Sequence, residues 1–352
     1  MVAQTNGIGG SKPASGTTHA DQSSHSLRPM RAVQIREFGG PDVLEQVEIP
    51  APEPGPGEVL VDVARAGMNF ADTHKRHNVY IQKSAEEQLP LIPGNEISGR
   101  VAADGRRVAA ILPGGAGGYA EQVAVPEDAL VPVPDEVTDD QAAAILIQGL
   151  TAWGLLRVSA KVEAGETVVV EGAAGGTGSL CVQLAKSMGA RVIALASSDD
   201  KRVLATELGA DATADSRAEP AAMTAAILEA NGGEPVDVIL QMSGGSAFEA
   251  QWEALAPFGR MIAFGIATSE VNEVRTSKLL RTSRGVIGFW IPHLLARQDL
   301  LGQGIFELLG AVASGELEVV IGGVHPMSDV ARLQTELAER RTHGKLLLDP
   351  SA

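Results

Sequence analysis

The sequence predicts an α/β protein in two parts, a β-rich first part followed by a doubly wound parallel sheet. Three observations carry that expectation. At 352 residues the chain is too long for one ordinary domain and comfortable for two. An apolar share of 44% beside 20% charged residues is that of a folded globular protein, and 40 glycines against 3% aromatic residues favour a turn-rich α/β build over an aromatic-cored sandwich. The patterning also changes near Thr138, from short runs broken by Pro and Gly to a regular alternation of buried-strand and helix-like segments.

Residues 1–29 are rich in Ser, Thr, Gly and His and carry neither apolar periodicity nor the continuous apolar core of a signal peptide. They read as a disordered extension, with patterned sequence beginning at Met30. Residues 30–138 form the first domain. Arg31–Ile35 and Val59–Ala64 read as strands, and the prolines of Pro50–Gly57 forbid helix between them. Ile97–Val101 and Arg107–Leu112 flank Asp104-Gly105, a dipeptide suited to a tight hairpin. The glycines of Gly114–Gly118 lead into another strand at Tyr119–Val125.

Residues 139–290 alternate. Strand runs at Glu166–Gly172, Arg191–Ser197, Val236–Met242 and Gly259–Ile266 are separated by helix-like segments at Gly178–Met188, Asp199–Leu208, Ala221–Ala230 and Ala247–Ala256. That order specifies a parallel sheet with helices on both faces. Residues 291–352 add a helical stretch at Leu300–Ala313 and a closing strand at Lys345–Leu348.

The first strand of the second part runs into Gly172-Ala173-Ala174-Gly175-Gly176-Thr177-Gly178, and a helix pattern follows. This is a variant of G-x-G-x-x-G with Ala173 at the first glycine position. Residues without Cβ let such a turn approach a pyrophosphate, and the helix N-terminus adds N–H donors and partial positive charge. A free ribose hydroxyl usually meets an acidic residue about 20 residues further on. Ser197 stands at that distance, followed by Ser198, Lys201 and Arg202. Hydroxyl and cationic groups suit a 2′-phosphate, so NADPH is expected rather than NADH. Asp199 and Asp200 read as favourable first-turn charges of the next helix.

The net charge of −16 opposes nucleic acid and anionic membrane surfaces as partners. No run of apolar residues approaches the length of about 18 needed to span a membrane. A lone cysteine, Cys181, makes neither an internal disulfide nor a cysteine-rich metal site, which argues for a reducing compartment, the cytoplasm. It is expected to pack against the sheet from the helix after the glycine turn.

Together, MRAVQIREFGGPDVLE, PEPGPGEVLVDV, GMNFADT, LIPGNE, GGYAEQVAVP, GLTAW, EGAAGGTGSLCVQLAK, LAPFGRMIAFG and HGKLLLDP resemble, in that order, the zinc-free quinone oxidoreductase branch of the medium-chain dehydrogenase/reductase superfamily, the zeta-crystallin-like proteins. The resemblance runs from Met30 to Pro350. It implies a GroES-like β-domain completed by the C-terminal segment, a Rossmann domain inserted between, and an active site in the cleft at their junction. It also implies substrate-pocket roles for Asn69, Asp72 and Tyr80. Cofactor contacts are implied for Thr151, for Ala174, Gly175, Gly176, Thr177 and Gly178 of the turn, for Ser197 and Lys201, for the Ser243-Gly244-Gly245 turn, for Phe264-Gly265 and for Arg340. The chain departs from the family where Ser216 replaces a tyrosine, where Gln241 replaces an aspartate, and where the hairpin between Glu96 and Arg107 is shortened beside the expected pocket. The superfamily's zinc enzymes carry Cys and His-Glu where this chain has Asn69 and Asn95-Glu96, so zinc is not expected, since it needs about four N, S or O ligands.

The implied reaction is hydride transfer from NADPH to a quinone or conjugated carbonyl, with donors such as Asn69 and Tyr80 meeting the charge that develops on oxygen. Two alternatives stand beside it: an enoyl-thioester reductase, favoured by an opened cleft and the basic run His74-Lys75-Arg76-His77, and a non-enzymatic NADPH-binding protein. That basic run otherwise reads as a solvated face, Tyr119 and His293 as packed residues, and Phe289 and Trp290 as core or subunit contact. The resemblance further implies a homodimer or homotetramer, with Thr282–Trp290 as the edge strand that pairs.

Overall fold

The computed structural model describes residues 29–79 and 89–352. The tail ahead of Pro29 and Tyr80 lie outside the described residues. The chain opens with β1 (Pro29–Gln34), paired antiparallel with β2 (Glu45–Pro50), and then the long β3 (Glu58–Gly67). Helix α1 (Phe70–Arg76) precedes β4 (Glu96–Val101) and β5 (Arg107–Ile111), a hairpin turning at Gly105 with φ +74°. Strands β6 (Gln122–Pro126) and β7 (Leu130–Pro132) close this half.

Helix α2 (Asp139–Trp153) starts where Thr138 accepts the Gln141 N–H at 3.2 Å and Gln141 reaches back to the Thr138 N–H at 2.9 Å, a reciprocal capping pair. A wider turn carries it on to Ala160, and Lys161, at φ +51°, ends it. Asp139–Ala160 is the one stretch among the described residues long and apolar enough to cross a membrane, and two-thirds of it is buried inside the protein. Burial all round leaves no polar face, so the sequence shows no amphipathic stripe there and the helix escapes pattern reading.

The second half alternates without exception: β8 (Thr167–Glu171), α3 (Gly176–Ser187), β9 (Arg191–Ala196), α4 (Asp199–Glu207), β10 (Ala212–Asp215), α5 (Pro220–Ala230), β11 (Val236–Gln241), α6 (Gly245–Ala254), β12 (Leu255–Ala263), α7 (Thr276–Thr282) and β13 (Gly285–Gly288). All neighbours are parallel, in the order β10-β9-β8-β11-β12-β13. The order reverses beside β8, where a crevice opens at the carboxyl ends of the strands.

Helices α8 (Ile291–Leu295) and α9 (Gln298–Ser314) follow, and α9 packs on α2, where a Cβ on Gly304 would lie 2.7 Å from Leu150. The chain re-enters the first sheet only with β14 (Ile321–Pro326); α10 (Val330–Ala338) and β15 (Lys345–Asp349) complete it. Strand β15 pairs antiparallel with β3, giving the order β14-β15-β3-β4-β5-β7, with β6 also on β3. The expected GroES-like and Rossmann units are therefore both present, and the C-terminal segment joins the first sheet through β14 and β15.

Candidate active site

A cavity of about 610 Å³ lies between the carboxyl ends of the parallel strands, the start of α1 and the segment before β15. Its floor is the glycine turn. Gly172 takes φ +65° at the end of β8, and a Cβ on Gly178 would fall 2.1 Å from the Gly172 carbonyl oxygen, so only glycine lets α3 start this close to the strand. Helix α3 begins at Gly176, and its first N–H groups have no intrahelical acceptor. Ala174, Gly175, Gly176, Thr177 and Gly178 all line the cavity. The Gly344 N–H donates to the Ala174 carbonyl (2.8 Å), tying the turn to the other domain.

The turns after β9 and β10 form one end of the cavity, with Ser197, Ser216 and Arg217, joined by Lys201 from α4 and by Arg340. The Lys201 ammonium donates to the Arg340 carbonyl oxygen at 2.7 Å. Burial, and then the Arg217 charge, hold Lys201 below the usual lysine range. Two cations facing the same space make an anion-seeking corner. The sequence reading did not single out Arg217; its signal was a basic residue just past the end of β10, next to the missing tyrosine. Arg202 is turned away to Asp199 and Asp215, and Asp199 and Asp200 do begin α4.

The turns after β11 and β12 form the other end, with Ser243, Gly244, Phe264 and Gly265, and Thr151 from α2. The hydroxyl of Ser243 is spent on the buried Glu171 carboxylate, which also accepts the N–H groups of Met242 (2.8 Å) and Ser243 (3.1 Å). Thr151 donates to the Ile147 carbonyl at 2.7 Å. These two residues therefore reach the cavity with their hydroxyl protons engaged. Phe289 packs against the core as expected and also lines the cavity, as does Trp290.

From the first domain come Met68, Asn69, Phe70, Ala71 and His74. Asn69 is 5% exposed and fully committed: its amide donates to Asn95 and to Glu96, each at 2.7 Å, and its oxygen accepts from Lys345 at 2.8 Å. Lys345 and Glu96 form a buried ion pair behind it. Asp72 does not reach the cavity. Its carboxylate accepts the Asn69 N–H (2.8 Å) and the Tyr119 hydroxyl (2.7 Å), the reach-back contact of a helix start, and burial raises its pKa. The expectation of a pocket-facing Asp72 is corrected: the side chain turns inward, where one carboxylate oxygen takes the Asn69 N–H and the Tyr119 hydroxyl.

Most of the basic run is not a solvated face either, and only His77 is exposed. Lys75 donates to the Gly114 and Gly115 carbonyls, and Arg76, 2% exposed, holds Gln334 (2.8 Å) and the Gly39 carbonyl (2.9 Å). The short hairpin turns on the surface, where Arg106 pairs with Asp104 and Glu127, and among the described residues nothing between β3 and α2 except Met68, Asn69, Phe70, Ala71 and His74 faces the cavity. The shortening does not border the pocket. Tyr119 and Cys181 are buried as expected, Cys181 with its thiol pushed up by burial, while His293 sits exposed with its ring edge-on to Trp290.

Two family models match the chain, an alcohol dehydrogenase GroES-like domain over residues 55–135 and a zinc-binding dehydrogenase domain over residues 176–302. The quinone oxidoreductase of Pseudomonas aeruginosa is 34% identical over 331 residues, which cover 91% of this chain and 99% of that one. A 2-haloacrylate reductase of a Burkholderia species is 29% identical, over 91% and 99%. Among solved structures, the quinone oxidoreductase of Thermus thermophilus, studied also in complex with NADPH, superposes with a TM-score of 0.80 at 35% identity, over 91% of this chain and all of that one. With the domain order, the glycine turn and full-length identity in agreement, the chain belongs to the quinone oxidoreductase family of the medium-chain dehydrogenase/reductase superfamily.

Proposed function

We propose that this protein is an NADPH-dependent reductase of quinones or other α,β-unsaturated carbonyls that works without a metal. The observation that carries the proposal is a single cavity that joins a glycine cradle, a cationic corner and an apolar-walled space. Of the residues to which the family pattern assigns a cofactor contact, from Thr151 to Arg340, all but Gly245 line it. The cradle fits a pyrophosphate because a Cβ at Gly178 would close the turn, and the N–H groups at the start of α3 favour negative charge. Lys201 and Arg217, beside Ser197 and Ser216, fit a 2′-phosphate. Bound there, NADPH supplies a hydride, and the protein supplies position and electrostatics.

Strand order sets the direction in which such a ligand lies. The phosphate-seeking corner belongs to β9 and β10, so the reactive end falls at the turns after β11 and β12, opposite Asn69, Phe70 and His74. Met68, Phe70, Trp290 and Ile291 give that end the apolar walls a flat conjugated acceptor needs. Where the superfamily's zinc enzymes place ligands, Asn69, Asn95 and Glu96 are already bonded to one another, and the Lys345 ammonium occupies the Glu96 carboxylate. A fixed cation at that spot opposes a dication, so the residues present do not fit zinc.

Strand β13 is one of the two open edges of the parallel sheet, with Ile287 exposed on it, and supports pairing of two copies there; sedimentation analysis of wild type against Ile287→Pro tests it. The test of function is NADPH oxidation by EDTA-treated protein with 9,10-phenanthrenequinone and a 2-alkenal, NADH serving as comparison. Turnover with NADPH preferred is the expected result. Loss of activity on EDTA treatment, restored by zinc, would overturn the metal-free assignment. Neither the shortened hairpin nor most of the basic run, the features that favoured an enoyl-thioester substrate, borders the cavity; turnover confined to enoyl thioesters, or NADPH binding with no turnover on any acceptor, would replace the proposal by those alternatives.

A further inference from the structure

Hydride addition leaves a quinone or enone with one extra electron pair and one negative charge, so the reaction needs a proton as well as a hydride. None of the groups first suggested by sequence within the described residues can give one. Both amide protons of Asn69 are held by Asn95 and Glu96, and Asp72 faces away into the protein. His74 is different. It lies one helical turn past Phe70, lines the reactive end of the cavity half-buried, and stands edge-on to the Phe70 ring at 5.1 Å and 82°, which fixes its plane. Neither ring nitrogen has a hydrogen-bond partner among the described residues, although its neighbours Lys75 and Arg76 have theirs.

We infer that His74 is the proton donor to the reduced acceptor, an inference that rests on the reductase function proposed above. As hydride leaves NADPH, oxidised to NADP+, and joins the acceptor carbon, the electron pair displaced onto the acceptor oxygen takes the proton of the His74 imidazolium. The N–H bond breaks, an O–H bond forms, and the neutral imidazole regains its proton from water. An enone leaves as its uncharged enol, and a quinone as an uncharged tautomer that becomes hydroquinone when the added hydrogen is lost from carbon as a proton and the second oxygen is protonated.

The surroundings of the ring define its pH behaviour. Burial, and then the charge of His77, lower its pKa from 6.5. On the other sides of α1, Arg76 faces Gln334 of α10 and lies near Asp42, and Lys75 holds two carbonyls. Across the cavity stand Glu171, Lys201, Arg217, Glu219, Glu270 and Arg340, none of which shifts the His74 titration. The imidazolium is therefore a minority at neutral pH and grows as the pH falls below 6.5.

The experiment is steady-state reduction of an enone and a quinone by the full chain with saturating NADPH across about pH 5–9, for wild type, His74→Gln and His74→Ala. Wild-type kcat is expected to rise as pH falls through the histidine range. In His74→Gln that limb is expected to vanish, with kcat at about pH 5.5 lower by about 10²-fold while the NADPH dissociation constant, read by nicotinamide fluorescence, stays within about twofold. Added imidazole is expected to restore part of the His74→Ala rate, which a purely structural role would not allow. Wild-type turnover with the same pH limb retained in His74→Gln, or no rescue by imidazole, would overturn the inference and leave the reductase function standing. No wild-type turnover on either acceptor would overturn both.

Discussion

Lys345→Met should be among the most destabilising single changes in the first domain. The Lys345 ammonium and the Glu96 carboxylate are 1% and 0% exposed and paired to each other, and the ammonium also donates to the Asn69 oxygen at 2.8 Å. Removing it leaves the Glu96 carboxylate with two neutral donors, the Asn69 amide (2.7 Å) and the Ile147 N–H (2.8 Å), and no countercharge. Stranding one partner of a buried pair costs about 3–5 kcal/mol. At about 2–4 °C per kcal/mol for a domain of 150–250 residues, the thermal midpoint falls by roughly 6–20 °C. Glu96→Gln alone strands the ammonium and should cost a similar amount. The double variant Glu96→Gln/Lys345→Met removes both charges while the glutamine oxygen still accepts from Ile147, so it should be more stable than either single variant by about 2 kcal/mol or more. Thermal and urea unfolding followed by far-UV circular dichroism measure all four proteins. A Lys345→Met cost under about 1 kcal/mol, or a double variant less stable than both singles, would refute the claim that the pair is a coupled buried charge.

Three further outcomes follow from the same geometry. Arg217→Ala should weaken NADPH by about tenfold, close to 1.4 kcal/mol, and leave NADH unchanged; equal weakening of both in fluorescence titrations would remove Arg217 from the 2′-phosphate corner. Gly178→Ala places a Cβ 2.1 Å from the Gly172 oxygen, so it should cost about 1–3 kcal/mol of stability and abolish cofactor binding, measured by unfolding and calorimetry. Asp72→Ala should cost about 1–3 kcal/mol by leaving the buried Tyr119 hydroxyl without its acceptor, whereas Asp72→Asn keeps an acceptor oxygen. Because burial raises the Asp72 pKa above 3.8, the folded chain binds its proton more readily there than the unfolded chain does. Stability from this group therefore grows as pH falls through that window, and any advantage of Asp72→Asn at about pH 7 should shrink as pH approaches 3.8; a constant difference in urea midpoints from about pH 7 to 4 would contradict it.

The fold was legible wherever local pattern and tertiary role coincide. Strands β8, β9 and β11 are largely buried and read as mainly apolar runs, and Gly105 marks the β4–β5 turn because a positive φ is needed there. Helix α2 was not legible, since it is covered on most sides and has no polar face to betray its period. Strands β7 and β10, of three and four residues, are too short to show alternation, and β14 carries two glycines that blur it. The end of the cavity built on the glycine turn was readable because its pattern is local: a turn, the helix after it, and residues at fixed distances along the next strand.

The acceptor end was harder to read for a physical reason. Asn69, Asp72 and the basic run have the residue types of catalysis, yet whether a polar group is available to a ligand depends on which other groups have already claimed its protons and lone pairs. Glu96, Asn95 and Lys345 claim Asn69 from 26 to 276 residues away in sequence, and Tyr119 claims Asp72 from 47. Claims at that distance leave no trace in local pattern. The last of them is settled only when β15 docks beside β3, so the closing strand, by bringing Lys345 to Glu96 and Asn69, completes Asn69 as a wall of the site and leaves His74 as the ionisable group on α1 that meets the acceptor.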